Sequence, residues 1–333
     1  MKRLGIVFSV CFLVWACGND NGAKSPAPII KKEVKVPQFS AEGAYGLIEK
    51  QMSFGPRVPG TPEHKACREW IISEMTELGA TVSTQEFKAD FQNLKGIPSA
   101  NIIAQINPDH QKRILLAAHW DTRSVSEKET DPIEKSKPVP GADDGGSGVG
   151  IIIQLAKTIA KNPIDMGVDF VFFDSEDQGD SGDSCAQGAK CSWAQGAQYW
   201  SKNMKPRGYN PVYGILFDMV GAKNASFYKE GHSRIHAGVQ TDKIWTLANR
   251  MGYGDFFINQ NAFPITDDHR FVNELTNIPM LDIINLKPEI PGQTFQKCHH
   301  TQCDDLSIID KRTLKVVGQV ATAVLYKESG NTL

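Results

Sequence analysis

Two adjacent carboxylates, Glu176 and Asp177, follow closely after an apolar run at residues 168–173. Such a run is typical of a buried strand, and open α/β sheets keep their sites at the carboxyl ends of their strands. Because neighbouring side chains diverge at a strand end, one carboxylate can bind a metal ion while the other faces the substrate as an acid or base. The pair therefore predicts metal-assisted acid–base chemistry.

Further acids and histidines occupy equivalent places along the chain. His119 follows the apolar run 114–118, and Asp218 follows the run 214–217. Catalytic zinc takes nitrogen and carboxylate oxygen ligands and keeps one position open, from which it can activate a carbonyl group. Any one of these acids alone is most simply a solvated loop residue, but the set together predicts a metal site. Its other candidate members are Asp143, Asp144, Asp267, Asp268, His269, His299 and His300.

Two other kinds of active site are excluded by the glycine-rich segment 140–148. A phosphate-binding loop would end in Gly-Lys-Ser/Thr, whereas this segment contains Asp143 and Asp144, which would repel phosphate. Ser147 lies between two glycines but lacks the G-x-S-x-G spacing of a serine nucleophile. With 36 basic and 38 acidic residues, the chain also lacks the net positive charge of a nucleic-acid binder.

The elements that must position these residues alternate along the chain. Buried strands are predicted at 113–118, 168–173, 213–218 and 279–284, and helices at 150–160, 240–251 and 310–327. This alternation predicts an α/β fold with a mostly parallel, central mixed sheet flanked by helices on both faces. No repeat or change of composition marks a second domain, so a single catalytic domain is expected over residues 38–333.

The N-terminus has the features of a bacterial lipoprotein signal. Lys2 and Arg3 precede an apolar segment at 4–15 that is too short to span a bilayer, and Ala16 and Cys17 follow it. We expect a signal peptide at 1–16, a lipid on Cys17 and a tether at 17–37. The protein would then be exported and held by its lipid in a membrane, facing the periplasm or the cell surface. An ordinary secretory signal is the alternative.

Export permits disulfide bonds, and four of the cysteines form two close pairs. Cys185 with Cys191 and Cys298 with Cys303 could each close a loop, leaving Cys67 unpaired in a helical pattern. Their spacings of six and five differ from the C-x₂-C of structural zinc sites, so disulfides are the favoured interpretation.

Four segments resemble, in order and spacing, the zinc aminopeptidases of the M28 type. They are residues 119–121, 141–144, 173–177 and 218–221, and the resemblance extends from about residue 41 to the last helix. Three segments also resemble the glutaminyl-peptide cyclotransferases, which share that fold: residues 217–227, 266–269 and 300–301. The Asp267-Asp268-His269 element is the most specific of these, because the aminopeptidases need no such group.

The narrower resemblance implies a zinc-exopeptidase-like fold, one Zn²⁺ per chain and cyclisation of N-terminal glutamine in peptides or proteins. It implies Asp144, Asp177 and His300 as zinc ligands. Glu176 would be the general acid/base, beside a hydrogen-bonded acidic pair formed by Asp218 and Asp267. Candidate residues of the substrate pocket are His119, Trp193, Phe295 and His299. A monomer that binds no nucleic acid is expected.

Three alternatives remain open at this stage. His299 stands where the animal enzymes have tryptophan, and it could replace His300 as the ligand. An M28 aminopeptidase with two zinc ions would need His119, Asp144, Asp177, Asp218 and His300, all of which are present. A surface lipoprotein that binds peptides or glycans without catalysis is the third, although no candidate ligand or acid is missing.

Overall fold

The computed structural model describes residues 34–91, 93–183, 185, 190–204 and 208–333. Eight strands lie in this part of the chain: β1 (Thr81–Phe91), β2 (Leu94–Ile106), β3 (Arg113–His119), β4 (Gly167–Phe173), β5 (Gly214–Asp218), β6 (Phe227–Lys229), β7 (Phe257–Asn261) and β8 (Met280–Ile284). Six of them form the central sheet in the order β1-β2-β4-β3-β5-β8, and β6 pairs with β7 separately.

The central sheet is mixed, and its parallel part carries the predicted strands. β4, β3, β5 and β8 are parallel neighbours, whereas β1 and β2 are added antiparallel at one edge. Ala117 of β3 is in register with Val171 of β4 and Leu216 of β5. The carboxyl ends of these strands therefore meet at one edge, as the sequence predicts.

Eight α-helices surround the sheet in the described residues. They are α1 (Ala41–Met52), α2 (Pro62–Glu77), α3 (Pro132–Lys135), α4 (Gly146–Lys161), α5 (Gln195–Lys202), α6 (Gly231–Arg250), α7 (Asp268–Leu275) and α8 (Lys311–Ser329). Several begin at side-chain caps: Ser40 Oγ accepts from Gly43 N before α1, and the Asp267 carboxylate accepts from Asp268 N before α7.

Helices cover both faces of the sheet, because alternate residues of its strands point to opposite sides. Ile114 and Leu116 of β3 join a core cluster with α1, α4 and α8. Leu115 and Ala117 of the same strand join a second cluster with α5 and α7. The predicted helix-covered mixed sheet is confirmed.

One predicted helix is much longer than its pattern indicates. Helix α6 begins at Gly231, not near residue 240, and its backbone is irregular at Ala237 (φ −127°, ψ 32°). The first turns contain Gly231, His232 and Ser233, so they lack the apolar spacing that marks a helix. Glu230 nevertheless caps them by accepting hydrogen bonds from the backbone of His232 and Ser233.

The predicted signal peptide at 1–16, the lipidation of Cys17 and the tether as far as residue 33 lie outside the described residues. From residue 34 to residue 333 the chain forms one compact unit. Within the described residues, no helix has the length and apolar character needed to cross a bilayer.

Candidate metal centre and active site

The ends of three parallel strands deliver the polar side chains to one place. β3 ends at His119, β5 ends at Asp218, and the loop after β4 contains Glu176 and Asp177. Asp144 comes from the turn that begins helix α4. All five side chains are buried or nearly so, each less than 10% exposed.

Glycines allow this turn to approach the strand ends closely. Gly145 has φ +80°, and an added Cβ would lie 2.9 Å from both Asp121 O and His119 Cε1. At Gly148, in the first turn of α4, an added Cβ would lie 2.1 Å from Phe217 O. Larger residues would therefore push Asp144 away from the other acids.

His300 joins Asp177 and Asp144 at the centre. Its Nε2 lies 2.9 Å from Asp177 Oδ1 and 3.8 Å from Asp144 Oδ2. Its other ring nitrogen, Nδ1, lies 2.6 Å from Glu127 Oε1. Burial lowers the pKa of His300, but the charge of Asp177 and the hydrogen bonds to Asp177 and Glu127 raise it overall to about 9. The raised pKa reflects the negative electrostatic potential that these carboxylates create around His300.

Two oxygens at this centre lack any hydrogen-bond partner among the described residues. They are Asp144 Oδ2 and Asp177 Oδ2, both fully buried. An unpaired carboxylate oxygen inside a protein is costly unless a cation or a proton compensates it. With the imidazole of His300, these oxygens form a donor set of one nitrogen and two carboxylates, which fits catalytic zinc.

His299 lies against His300 and also reaches the centre. The two rings stack with centroids 3.7 Å apart, and His299 Nε2 lies 4.0 Å from Asp144 Oδ2. Asp144, His299 and His300 can each offer one ligand atom, all within 4.8 Å of one another. His299 Nδ1 is hydrogen-bonded to Lys128 Nζ. The geometry therefore keeps His299 beside His300 as a candidate ligand.

His119 lies beneath the cavity, away from its wall. Its side chain is 1% exposed, and its Nε2 lies 3.1 Å from Asp144 Oδ1 and 3.2 Å from Asp218 Oδ1. These three residues form a second group whose ligand atoms lie within 4.8 Å of one another. The expectation that His119 lines the substrate pocket does not agree with this position, because the side chain is covered by the acids around it.

A cavity of about 260 Å³ opens over the centre. Its wall contains Glu176, Asp177, Asp218, Asp267, Trp193, Phe295, His299 and His300. The Trp193 ring is nearly parallel to that of His300 at 6.0 Å, and the Phe295 ring stacks on His299 at 4.4 Å. The structure thus brings the predicted acids, both histidines and both aromatic residues to one cavity.

The acids in this cavity influence one another. Burial, and then the charge of Asp267, raise the pKa of Glu176 well above its ordinary value. Burial raises the pKa of Asp218 to about 8, with Asp267 adding to the rise and a hydrogen bond from His119 opposing it. Within the described residues, Asp218 bonds to His119, and no direct hydrogen bond joins it to Asp267.

Buried groups behind the cavity fix its backbone. The Asp121 carboxylate accepts hydrogen bonds from Glu176 N (3.0 Å) and Asp177 N (3.3 Å). The Asp304 carboxylate does the same for Asp143 N (2.8 Å) and Asp144 N (3.1 Å). The backbone at the ligands is therefore positioned by carboxylates that do not themselves face the cavity.

A buried arginine supports the Asp144 turn from below. The Arg57 guanidinium donates to Pro140 O and Gly141 O, each at 2.7 Å. Its burial lowers its pKa, and the negative charges of Asp304, Asp121 and other neighbours oppose that shift. Arg57 thus places a positive charge under a cluster of acids.

Unusual backbone angles occur at three residues of the site. Ser175, Met219 and His300 have φ values of +57°, +47° and +60°. A non-glycine residue in the left-handed region is uncommon and persists where surrounding contacts hold it. Ser175 precedes Glu176, and Met219 follows Asp218. The strained backbone positions therefore help to orient the side chains of Glu176, Asp218 and His300.

Both predicted disulfides are confirmed. Cys185 is bonded to Cys191, and Cys298 is bonded to Cys303, whereas Cys67 is a buried free thiol. The second bridge encloses His299 and His300. It therefore closes the short loop that carries the histidines of the centre.

Some residues of the site are not marked by the sequence. Glu127 and Lys128, which contact His300 and His299, lie in a charged segment typical of a surface loop. Asp304 is one of two adjacent acids in another polar loop and becomes buried only through the fold. Local patterns cannot find such residues, since their importance depends on contacts distant in sequence.

Comparison with known proteins identifies relatives of the whole domain. The model of peptidase family M28 matches residues 101–325. A Zn-dependent exopeptidase from Parabacteroides distasonis is 42% identical with a TM-score of 0.83, over 88% of this chain and 99% of that chain. Tannerella forsythia glutaminyl cyclase is 41% identical with a TM-score of 0.82, over 87% and 99%. A glutaminyl-peptide cyclotransferase from Drosophila melanogaster is 27% identical over 285 residues, which are 78% of this chain and 73% of that protein.

Proposed function

The chain belongs to peptidase family M28, and within this family we propose that it is a zinc-dependent glutaminyl-peptide cyclotransferase. It converts the N-terminal glutamine of peptides or proteins into pyroglutamate and releases ammonia. The observation that carries this proposal is the position of Asp267, which lines the same cavity as Glu176 and Asp218. Burial is the largest cause of the raised pKa of both residues, and the charge of Asp267 raises both further. The similarity to bacterial glutaminyl cyclases supports the same function.

One zinc ion per chain would be held by Asp144, Asp177 and His300, with His299 as the neighbouring alternative to His300. When bound, zinc supplies Lewis acidity that polarises the γ-carbonyl of the glutamine and stabilises the negative charge that develops on its oxygen. The two unpaired carboxylate oxygens described above are the groups that such a cation would satisfy.

Glu176 moves the proton. Its carboxylate takes a proton from the α-amine of the substrate, and the amine nitrogen forms a bond to the γ-carbonyl carbon. The same carboxyl group then returns the proton to the amide nitrogen, whose bond to carbon breaks so that ammonia leaves. A raised pKa suits this double role, because the group must both accept and release a proton near neutral pH.

Asp218 and Asp267 set the charge around Glu176. With a pKa of about 8, Asp218 holds a proton at neutral pH. A neutral Asp218 reduces the electrostatic repulsion among the three acids of the cavity.

A specific observation favours a second function, a di-zinc aminopeptidase. His119, Asp144 and Asp218 form a second group of potential ligands beside the first. In that case Asp218 would be deprotonated and would bind the second metal. Asp267 argues against this, because its charge favours the protonated form of Asp218.

An assay for both activities decides between these functions. The purified protein is incubated with peptides that begin with glutamine, and ammonia, the mass of the peptide product and free amino acids are measured. The cyclotransferase gives ammonia and a peptide lighter by one ammonia, with one zinc per chain by elemental analysis. Free amino acids with two zinc ions per chain, and no ammonia, would instead establish the aminopeptidase.

We also propose that the mature protein is a monomer tethered to a bacterial membrane by a lipid on Cys17. The signal-like residues 1–16 and the polar segment after Cys17 support the lipid anchor. Incorporation of labelled fatty acid into the wild-type protein, but not into Cys17→Ser, is the expected result. Equal labelling of both proteins would contradict it.

A further inference from the structure

A second cavity adjoins the active-site cavity and has no role in the chemistry described above. This side cavity, of about 510 Å³, is lined by residues of the β1–β2 turn, the loop after β3 and the loop after Gln178. Glu127 and Ser181 belong to the walls of both cavities. An extended chain advances about 3.5 Å per residue, so a peptide that leaves the active-site cavity past these shared residues continues into the side cavity.

A buried arginine in the side cavity has a donor to spare. Arg123 lines the cavity, yet its side chain is only 5% exposed. Its Nε donates to Glu127 Oε2 at 2.6 Å, and its Nη1 donates to Asp177 O and Gly179 O at 2.9 and 3.0 Å. Among the described residues, nothing accepts a hydrogen bond from Nη2, and Nη2 is not one of the fully buried side-chain nitrogens that lack a partner. A guanidinium nitrogen that reaches a cavity without a protein partner is suited to a carbonyl oxygen supplied by a ligand.

The side cavity is lined by two aspartates, Asp90 and Asp180, of which only Asp90 lies near basic side chains in the part of the chain that the structure describes. Asp90 lies within ion-pair distance of Lys95 and Lys190. Asp180 is exposed, accepts one hydrogen bond from Gly182 N at 3.0 Å, and has no ion pair among the residues that the structure describes. An exposed carboxylate at the edge of a binding cavity favours ligands with a positive charge nearby.

We propose that the side cavity binds the residues that follow the first two of the substrate, through a carbonyl oxygen on Arg123 and a basic side chain near Asp180. The preferred substrates are then peptides and proteins that extend well beyond the glutamine, with lysine or arginine close to it. This inference rests on the proposed function, and it adds the length and charge of the substrate to it.

Substrate length is tested with Gln-Ala-amide and the tetrapeptides Gln-Ala-Lys-Ala and Gln-Ala-Glu-Ala. In the wild-type protein, kcat/KM should be roughly tenfold higher for the Lys tetrapeptide than for the dipeptide, mostly through KM, as one charge-assisted hydrogen bond and added contact allow. Val125→Phe places a ring in the side cavity, and it should remove most of this advantage. Val212→Phe, at an exposed valine away from both cavities, should retain it.

Charge preference is tested with two matched aspartates. Asp180→Asn should reduce the preference for the Lys over the Glu tetrapeptide by roughly two- to fivefold at low salt, the range for an exposed ion pair. Asp165→Asn, at a solvent-exposed aspartate elsewhere, should leave the preference intact.

Each outcome of these assays has a defined meaning. Equal kcat/KM for the dipeptide and both tetrapeptides, with ammonia released from all, would overturn the side-cavity proposal and leave the proposed function standing. The side-cavity proposal would also be overturned if Val125→Phe lowered kcat/KM by the same factor for all three substrates. No ammonia from any substrate would overturn the proposed function and this proposal with it.

Discussion

Glu127 Oε1 lies 2.6 Å from His300 Nδ1, on the side of the ring opposite to Asp177. The hydrogen bond fixes which ring nitrogen carries the proton and leaves Nε2 free to bind a metal. It also makes the imidazole a stronger ligand, as carboxylates behind metal-binding histidines do. Arg123 in turn holds Glu127 through a 2.6 Å contact.

Glu127→Gln should therefore weaken zinc binding by roughly 10- to 100-fold, the usual cost of losing such a partner. Competition with a metal-binding dye measures the affinity directly. Glu134→Gln is the matched control, because Glu134 lies in the same segment but is partly exposed, and among the charged groups that the structure describes it forms an ion pair only with Lys137. Equal zinc affinity in both variants would show that Glu127 does not support His300.

Glu176→Gln should bind zinc normally and lose cyclisation by roughly 10²- to 10⁴-fold, since the amide cannot transfer the proton. The measurement is ammonia release, together with zinc per chain on the same preparation. A variant that keeps near-wild-type turnover would remove Glu176 from the mechanism. A variant that has lost its zinc would point to a ligand role instead.

Asp267→Asn should change the pH dependence of turnover. Removing this charge lowers the pKa of Glu176 and of Asp218, because Asp267 raises both. The acidic limb of the kcat profile should move to lower pH as Glu176 becomes deprotonated there. An unchanged limb combined with lower activity at every pH would indicate that Asp267 acts only on structure.

The metal-free protein should lose stability as pH rises, in part through Asp218. Its pKa is about 8 in the folded chain, against an ordinary 3.8, so the folded state holds the proton more tightly. This contribution is complete below about pH 4 and disappears as pH rises through 8. Asp218→Asn lacks the titrating group, so its Tm relative to wild type should increase over that interval. A constant difference in Tm would contradict the assignment.

The Cys298–Cys303 bridge should support zinc binding. Replacing both cysteines with serine frees the loop that carries His299 and His300, and binding must then order that loop at a cost of about 1–2 kcal/mol per residue. Zinc affinity should fall roughly tenfold or more. The matched control replaces Cys185 and Cys191, whose loop contains no candidate ligand, and its zinc affinity should stay unchanged. Similar losses in both variants would contradict a specific role for the first bridge.

The sequence was sufficient for the parallel core because its strands are buried on both faces. β3, β4 and β5 are largely apolar and are followed by, or end in, polar residues, so both the strands and the acids at their ends are visible locally, and the one acid inside β4, Asp169, is paired with Arg113. The start of α6 was missed for the opposite reason: its first turns are polar and depend on Glu230 and on tertiary contacts. His119 was placed correctly at a strand end, but its burial depends on Asp144 and Asp218, which only the fold brings together.

Arg57 and Asp304 hold the Asp144 turn through main-chain groups and leave the metal-facing oxygen of Asp144 free. Consequently the shape of the centre does not require a cation to establish it. Zinc fingers, in contrast, are unfolded until the metal binds. For this protein we expect the reverse order, in which the chain folds first and acquires its metal afterwards. An enzyme built in this way can exchange its metal without passing through the unfolded state.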